Sequence, residues 1–237
     1  MKNKFVVLSD IHFPYQDDKA IKAVYKFLEQ HPVDTIILNG DILDFYDVSS
    51  FDKDPARINS LQKEIDMANK FFSQLRKLHS GRVVFIAGNH DGDRLERYLK
   101  KHPELYSLNA LKIDKLLNLG EYNIDFYKDE FRLGPLKIIH GDIVRKFSAY
   151  TARAELEKHD TSGISGHSHR LSCYYYRTPE RYLAWYESGC LCRLDPEYIK
   201  SPNWQQAFLY GYVEKDSFAV TPIPIVNGKI KCVLLED

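Results

Sequence analysis

Carboxylates and imidazoles gather in five short segments of this chain: Asp10-Ile11-His12, Gly40-Asp41-Ile42-Leu43-Asp44, Gly88-Asn89-His90-Asp91, His140-Gly141-Asp142 and Gly166-His167-Ser168-His169. Carboxylate, imidazole and amide oxygen suit manganese, iron, zinc or magnesium. Two such ions ~3.5–4 Å apart clamp a phosphoryl group, activate water at neutral pH and stabilise both the entering and the leaving oxygen. Each segment also has a bland reading. Alone, His140 is a hydrogen-bonded core residue, Asp41 a turn former and Asp10 a strand-end cap. The five together shift the balance. Unpaired buried carboxylates are costly, and clustered acids and histidines point to metal or catalysis.

Such residues need a frame that brings distant segments to one place. Phe5-Val-Val-Leu8, Thr35-Ile-Ile-Leu38 and Arg82-Val-Val-Phe-Ile-Ala87 read as short buried strands. Between the first two, Ala20, Ile21, Val24, Phe27 and Leu28 mark a helix that must stop by His31, before Pro32. Between the second and third, a long helix is predicted from Asp54 as N-cap and Pro55 in the first turn. Its inner face is Ile58, Leu61, Ile65, Ala68, Phe72 and Leu75. The alternation predicts parallel strands with helical crossovers, whose carboxyl-end loops form a ligand crevice. Asp10, Asp41, Asn89 and His140 each follow such an apolar run.

The second half has helical patterns to about Leu119 and again at Ser148–His159, with Ser148 as N-cap. Short β-like segments fill the rest: Ile124–Tyr127, Leu136–Ile139, Cys173–Arg177, Tyr182–Trp185, Phe208–Val213, Phe218–Ile225 and Lys229–Leu235. They predict a second sheet packed on the first, with helices outside both. With 237 residues and no linker, the chain reads as a single domain over 1–237.

Composition excludes some classes. Lys+Arg and Asp+Glu balance at 33 each, so no whole-protein field attracts nucleic acid or anionic lipid, although a local basic patch remains open. No stretch approaches the ~18 apolar residues of a membrane span, and the first apolar run is too short for a signal peptide. Cys173, Cys190, Cys192 and Cys232 form no C-x-x-C, as in a cytoplasmic protein with reduced thiols.

The five segments resemble the calcineurin-like metallophosphoesterase superfamily, whose pattern is D-x-H, G-D-x-x-D, G-N-H-[DE], H and G-H-x-H. Every element is matched between Asp10 and His169. The resemblance implies an α/β four-layer α-β-β-α sandwich with two mixed sheets and flanking helices. It implies a binuclear metal centre in which Asp10, His12 and His169 bind the first ion. Asn89, His140 and His167 would bind the second, and Asp41 would bridge. Manganese is the expected ion, with iron, zinc, magnesium or nickel as alternatives. His90 would donate a proton to the leaving oxygen or contact the phosphate. Asp44 would hydrogen-bond His90, fix its tautomer and favour its charged form. Asp91 reads as a structural helix-start residue.

Substrate contacts are less marked. Arg94, Arg97 and Lys100 form a basic stripe that is either a solvated face or, at Arg94, a phosphate contact. Phe45, Tyr46 and the segment to Asp54 either shape a pocket, with Tyr46 stacking on substrate, or simply pack. Tyr174 to Tyr176 offer a base-stacking platform or ordinary strand packing. The serine/threonine protein phosphatases carry Arg-Gly after G-D-x-x-D and a Glu in G-N-H-E, whereas Phe45-Tyr46 and Asp91 stand here. The His-Gly-Asp at 140–142 and the Gly-His-Ser-His-Arg at 166–170 are similar to those of UDP-2,3-diacylglucosamine pyrophosphohydrolases. Glu187 to Cys192, Pro202 to Phe208, Asn89 to Arg94 and Thr151 to Ala154 resemble the phage and prophage metallophosphoesterases. The expectation is a phosphodiesterase acting on small phosphoesters, nucleotides or short nucleic acid, with no membrane partner. A phosphomonoesterase, a nucleotide-sugar pyrophosphohydrolase and a regulatory module on the same scaffold are the alternatives.

Overall fold

The computed structural model describes residues 2–57, 60–196 and 199–232. In chain order, β1 is Asn3–Leu8, α1 Asp18–Gln30, β2 Thr35–Asn39, α2 Leu61–Leu78 and β3 Arg82–Ile86. A π-helical turn at Asn89–Arg94 leads into the short helices α3 Leu95–Lys100, α4 Pro103–Tyr106 and α5 Ile113–Leu116. Then follow β4 Ile124–Tyr127, β5 Glu130–Leu133, β6 Leu136–Ile139, α6 Tyr150–His159 and β7 Gly163–Ser165. The chain continues with β8 Leu171–Arg177, β9 Tyr182–Ser188, β10 Ala207–Val213, β11 Phe218–Val226 and β12 Lys229–Ile230.

Seven strands form one sheet in the order β12-β11-β10-β1-β2-β3-β4, and five form another in the order β5-β6-β7-β9-β8. β1 to β4 pair in parallel, while β10 joins β1 antiparallel, so the first sheet is mixed. The second is mixed too, with β6-β7-β9 parallel between antiparallel edges. The apolar runs of β1 to β3 are continuous because both faces are covered. Val6, Leu8, Ile36, Leu38, Val83 and Phe85 pack with α1 and α2. Their alternates Phe5, Val7, Ile37, Val84 and Ile86 pack against Leu136, Ile138, Ile164 and Tyr186 of the second sheet. Trp185 and Ile139 turn outward under Ala152 and Leu156 of α6. The layers therefore run α-β-β-α, as expected.

Five expectations are corrected. Of the second-half segments expected to build the second sheet, β4, β10, β11 and β12 instead extend the first. The long helix begins at Leu61 with Ser60 at its N-cap, not at Pro55; Pro55–Arg57 is a separate 3₁₀ turn. Ile58 lies outside the described residues, as do Val233 to Leu235. The pattern to Leu119 is a series of short pieces, interrupted at His102 ahead of Pro103, which opens α4. α6 is entered through Ala149 at φ 68°, not capped by Ser148. The Ala149 N–H donates instead to Ser172 Oγ at 2.9 Å and to Glu187 Oε2 at 3.0 Å. β5 and β7 were not foreseen. β7 is only Gly163–Ser165, and a Cβ at Gly163 would stand 2.5 Å from the Trp185 ring.

Glu64 of α2 is buried and accepts from the Phe45 N–H at 2.8 Å, fixing the chain just after Asp44. Burial pushes its carboxyl from 4.5 up to about 8, against the pull of that hydrogen bond. The folded state thus keeps a proton that the unfolded chain releases. The stability tied to it is full below the unfolded value and is lost as pH rises through about 8. Glu64→Gln keeps the acceptor without the charge. It is expected to raise Tm at about pH 8.5 by at least about 2–4 °C, with a smaller change at about pH 5. Circular dichroism melts at both values check this; equal shifts would contradict it.

Candidate active site

Every segment singled out above leaves the carboxyl end of a strand: β1, β2 and β3 in the first sheet, β6 and β7 in the second. The loops are stitched together by backbone bonds. Asp10 N–H donates to Gly40 O at 3.2 Å, His12 N–H to Asp41 O at 2.9 Å and Gly166 N–H to His140 O at 2.9 Å. Two close approaches need glycine. A Cβ on Gly88 would strike the Asp41 carboxylate, and one on Gly166 would strike Ser9 Oγ and lie 2.8 Å from Asp10 Oδ2. Asp10, His12, Asp41, His167 and His169 all adopt positive φ, between 52° and 63°. Such backbone is disfavoured for residues with a Cβ and clusters at functional sites.

The side chains meet in two groups sharing Asp41. His169 Nε2 lies 3.1 Å from Asp10 Oδ1 and 3.1 Å from His12 Nε2. His12 Nε2 is 3.7 Å from Asp10 Oδ1 and 3.8 Å from Asp41 Oδ2. On the other side, His140 Nε2 lies 3.2 Å from Asp41 Oδ2 and 3.1 Å from Asn89 Oδ1. The His167 ring stands 5.3 Å from that of His140, and their nitrogens group with the Asp41 carboxylate. One oxygen of each carboxylate is engaged: His167 N–H donates to Asp10 Oδ2 at 3.1 Å and His90 N–H to Asp41 Oδ1 at 2.8 Å. The other oxygens, Asp10 Oδ1 and Asp41 Oδ2, face the imidazoles.

This arrangement fits divalent cations. Asp10 Oδ1 is buried without a hydrogen-bond partner. Two imidazole nitrogens 3.1 Å apart repel unless a proton or a cation lies between them. Burial alone would lower the pKa of His140, yet the Asp41 and Asp10 carboxylates push it up to about 10. Burial likewise opposes His169, but Cys192 and Asp10 push it up to about 9. His167 instead falls to about 4, through burial and the neighbouring His140. The carboxylates thus draw positive charge into the cluster, and metal ions can replace those protons. Outer partners leave Nε2 facing inward: His140 Nδ1 bonds Asn39 O at 2.8 Å, and His12 Nδ1 bonds Asp44 Oδ1 at 3.3 Å.

His90 and Asp44 meet as expected, with His90 Nδ1 3.2 Å from Asp44 Oδ1 and 3.0 Å from Asp44 O. The same oxygen also holds His12, so Asp44 orients two rings. Burial holds the His90 imidazole below its ordinary value, outweighing Asp41 and Asp44, although Asp44 pulls it toward its charged form, as expected. Arg94 donates to Asp44 O at 2.7 Å and to His90 Nε2 at 2.7 Å. As placed, it braces His90 instead of pointing to a substrate phosphate. Arg97 and Lys100 pair with Asp93 and Glu96 at the surface.

Tyr46 is also corrected. It is buried, its hydroxyl donates to Asp52 O at 2.7 Å and accepts from Asp54 N–H at 2.8 Å, and Arg57 lies 4.1 Å over its ring. It organises the loop to Asp54 and offers no face for stacking. Tyr174 packs beside the Trp185 cluster, the ordinary strand role, while Tyr175 and Tyr176 are exposed.

Asp91 is the structural residue foreseen. Its carboxylate accepts from Gly88 N–H at 2.7 Å and Ile42 N–H at 2.8 Å, tying two ligand loops together. Burial and Asp41 push it up to about 7. Asn39 was missed. It donates to Ile139 O at 2.8 Å while its carbonyl receives His140, so it joins the two sheets under the site. The signal was available, an amide closing the apolar run of β2. The spacing Cys190-x-Cys192 puts two thiols on one face of a strand and offers a weak signal for a redox or metal role; the structure groups both with His169, whose Nδ1 lies 3.7 Å from Cys192 Sγ.

Comparison with known proteins bears on the whole chain. The family model for calcineurin-like phosphoesterases matches residues 3–189. The chain is similar to the Gene 54 protein of Mycobacterium phage D29, 28 % identical over 247 residues, covering 97 % of this chain and 96 % of that protein. The Gene 54 protein of Mycobacterium phage L5 is 26 % identical over 245 residues, with 97 % and 96 % covered. Vacuolar Protein Sorting 29 from Cryptosporidium parvum shares the fold, with TM-score 0.51 at 12 % identity over 97 % of this chain and 95 % of that one.

Proposed function

We propose, because this chain belongs to the calcineurin-like phosphoesterase family, that its metal-dependent phosphoesterase activity is directed at phosphodiesters of nucleotides or short nucleic acid. The observation that carries the reading is the position of Asp41 Oδ2, within 3.2–3.8 Å of the Nε2 atoms of His140, His90 and His12, between two imidazole groups. Asp10, His12 and His169 would hold one ion, Asn89, His140 and His167 the other, and Asp41 both. Manganese suits this nitrogen-and-oxygen donor set. Bound there, the ions would supply Lewis acidity to the phosphoryl oxygens and a nucleophile from water.

The chain's own residues do the rest. The left-handed loops fix the ligands before any ion arrives. Asp44 turns the Nε2 atoms of His12 and His90 inward; with its Nδ1–H held by Asp44, His90 would have to lose the Arg94 bond and take up a proton at Nε2 before passing that proton to the leaving oxygen. Arg94, the cation beside His90, is already bound to Asp44 and His90. It offers no free charge to a monoester dianion, whereas a diester monoanion needs none. No helix among the described residues is long and apolar enough to cross a membrane. The four cysteines form no disulfide, which suits action in a reducing cytoplasm.

With manganese supplied, bis-p-nitrophenyl phosphate is expected to show a higher kcat/KM than p-nitrophenyl phosphate, by roughly 10-fold, or ~1.4 kcal/mol of transition-state stabilisation. A preference for the monoester across manganese, zinc and magnesium would mean a phosphatase. Absence of hydrolysis of either would favour the regulatory module.

A further inference from the structure

The segment that follows His140 carries an uncompensated local charge in a chain whose net charge is zero. From Ile143 to Ala154 there are three basic residues, Arg145, Lys146 and Arg153, and no acidic one. Arg153 is taken by Glu157 at 2.8 Å, and the nearby Asp142 is taken by Lys158 at 2.8 Å. Among the described residues, Arg145, Lys146 and the adjoining Arg170 make no ion pair. Arg170 is the residue next to the proposed ligand His169, and its guanidinium donates to the Arg145 carbonyl. This places the basic segment at the rim of the metal cluster.

Apolar side chains on the same segment face solvent. Val144 and Phe147 are each 52 % exposed and Tyr150 is 59 % exposed. The Phe147 and Tyr150 rings meet edge-to-face at 5.4 Å, with the Lys146 ammonium 5.2 Å from the Phe147 centroid. Hydrogen bonds hold the backbone that displays them. Arg145 N–H donates to Thr151 Oγ1 at 3.0 Å, and Ala149 N–H donates to Ser172 and to the buried Glu187. The fold thus leaves large apolar rings in water, interleaved with unneutralised cations, beside a site that handles phosphodiesters. Cations that track a backbone and rings on which bases stack are what a single strand of nucleic acid needs.

We infer that the 143–150 loop with Arg170 is the track for a single-stranded polynucleotide whose scissile phosphate lies at the metal cluster. Arg145, Lys146 and Arg170 meet the neighbouring phosphates, and Phe147 and Tyr150 stack on a base. This rests on the phosphodiesterase reading above, and the test separates the two. Binding of a fluorescein-labelled oligothymidylate of about ten nucleotides is measured by anisotropy on manganese-supplemented protein, in a His90→Asn background that slows cleavage. The double variants Phe147→Ala/Tyr150→Ala and Arg145→Ala/Lys146→Ala are each expected to bind about 10-fold more weakly. The second should also reduce the slope of log affinity against log salt by about 1.4, two lost contacts at roughly 0.7 each.

Hydrolysis of bis-p-nitrophenyl phosphate by the unsubstituted protein, with His90 intact, reports on the phosphodiesterase reading alone. Oligonucleotide affinity and salt slope unchanged in both variants would overturn the track. So would tighter binding to duplex DNA or to phosphatidylserine vesicles than to the oligonucleotide.

Discussion

Asp41→Asn is expected to lose both ions and to lower kcat/KM on bis-p-nitrophenyl phosphate by on the order of 10³-fold or more. Metal-derived charge stabilisation amounts to several kcal/mol, and each ~1.4 kcal/mol is a factor of ten. The substitution is nearly isosteric, and its direction can be reasoned atom by atom. Asp41 Oδ1 accepts the His90 N–H at 2.8 Å, so the asparagine carbonyl is drawn to that side. Its NH₂ then takes the place of Oδ2, beside His140 Nε2 at 3.2 Å, and presents hydrogens where a cation would need a lone pair. Elemental analysis after gel filtration gives the metal content, and circular dichroism confirms that the fold survives. Two ions retained per chain would remove Asp41 from the bridging position.

His90→Asn is expected to keep both ions and to slow hydrolysis by roughly 10²–10⁴-fold, the contribution of one general acid. The loss should grow as the leaving alcohol becomes less acidic, because p-nitrophenolate departs with little protonation. His90 does not contribute one of the seven proposed metal ligands. Its Nε2 lies 3.7 Å from Asp41 Oδ2, and its ring packs edge-on to His12 at 4.5 Å. Arg94 complicates the picture in an instructive way. Its guanidinium sits 2.7 Å from the same Nε2, so this nitrogen accepts a bond in the free enzyme and must give up that partner and take up a proton before it can donate to a leaving group. A leaving-group series separates the two roles: a uniform loss signifies positioning of the phosphate, a graded one proton transfer.

How much of this was legible follows from the range of the interactions involved. The strands ending at Leu8, Leu38 and Ile86 were readable because burial on both faces leaves unbroken apolar runs. The cluster was readable because each ligand follows such a run or a glycine turn. What escaped depends on contacts that exist only once the chain has folded. Tyr46 looked like an aromatic beside a catalytic motif, and its satisfaction by Asp52, Asp54 and Arg57 emerges only once the loop closes on itself. Arg94 lay one turn from His90 and was expected to reach outward, but Asp44, 50 residues earlier, supplies a carbonyl that turns it inward. β7 escaped because three residues between two parallel neighbours carry no periodicity of their own.

The left-handed backbone at Asp10, His12, Asp41, His167 and His169 also constrains the history open to this fold. At these positions the accessible neighbours in sequence space are narrow, since glycine and asparagine tolerate positive φ while branched apolar residues do not. A lineage that abandoned metal chemistry would therefore be expected to drift first to Asn or Gly at those five sites. Its ancestry would remain visible as a turn pattern long after the carboxylates and imidazoles had gone.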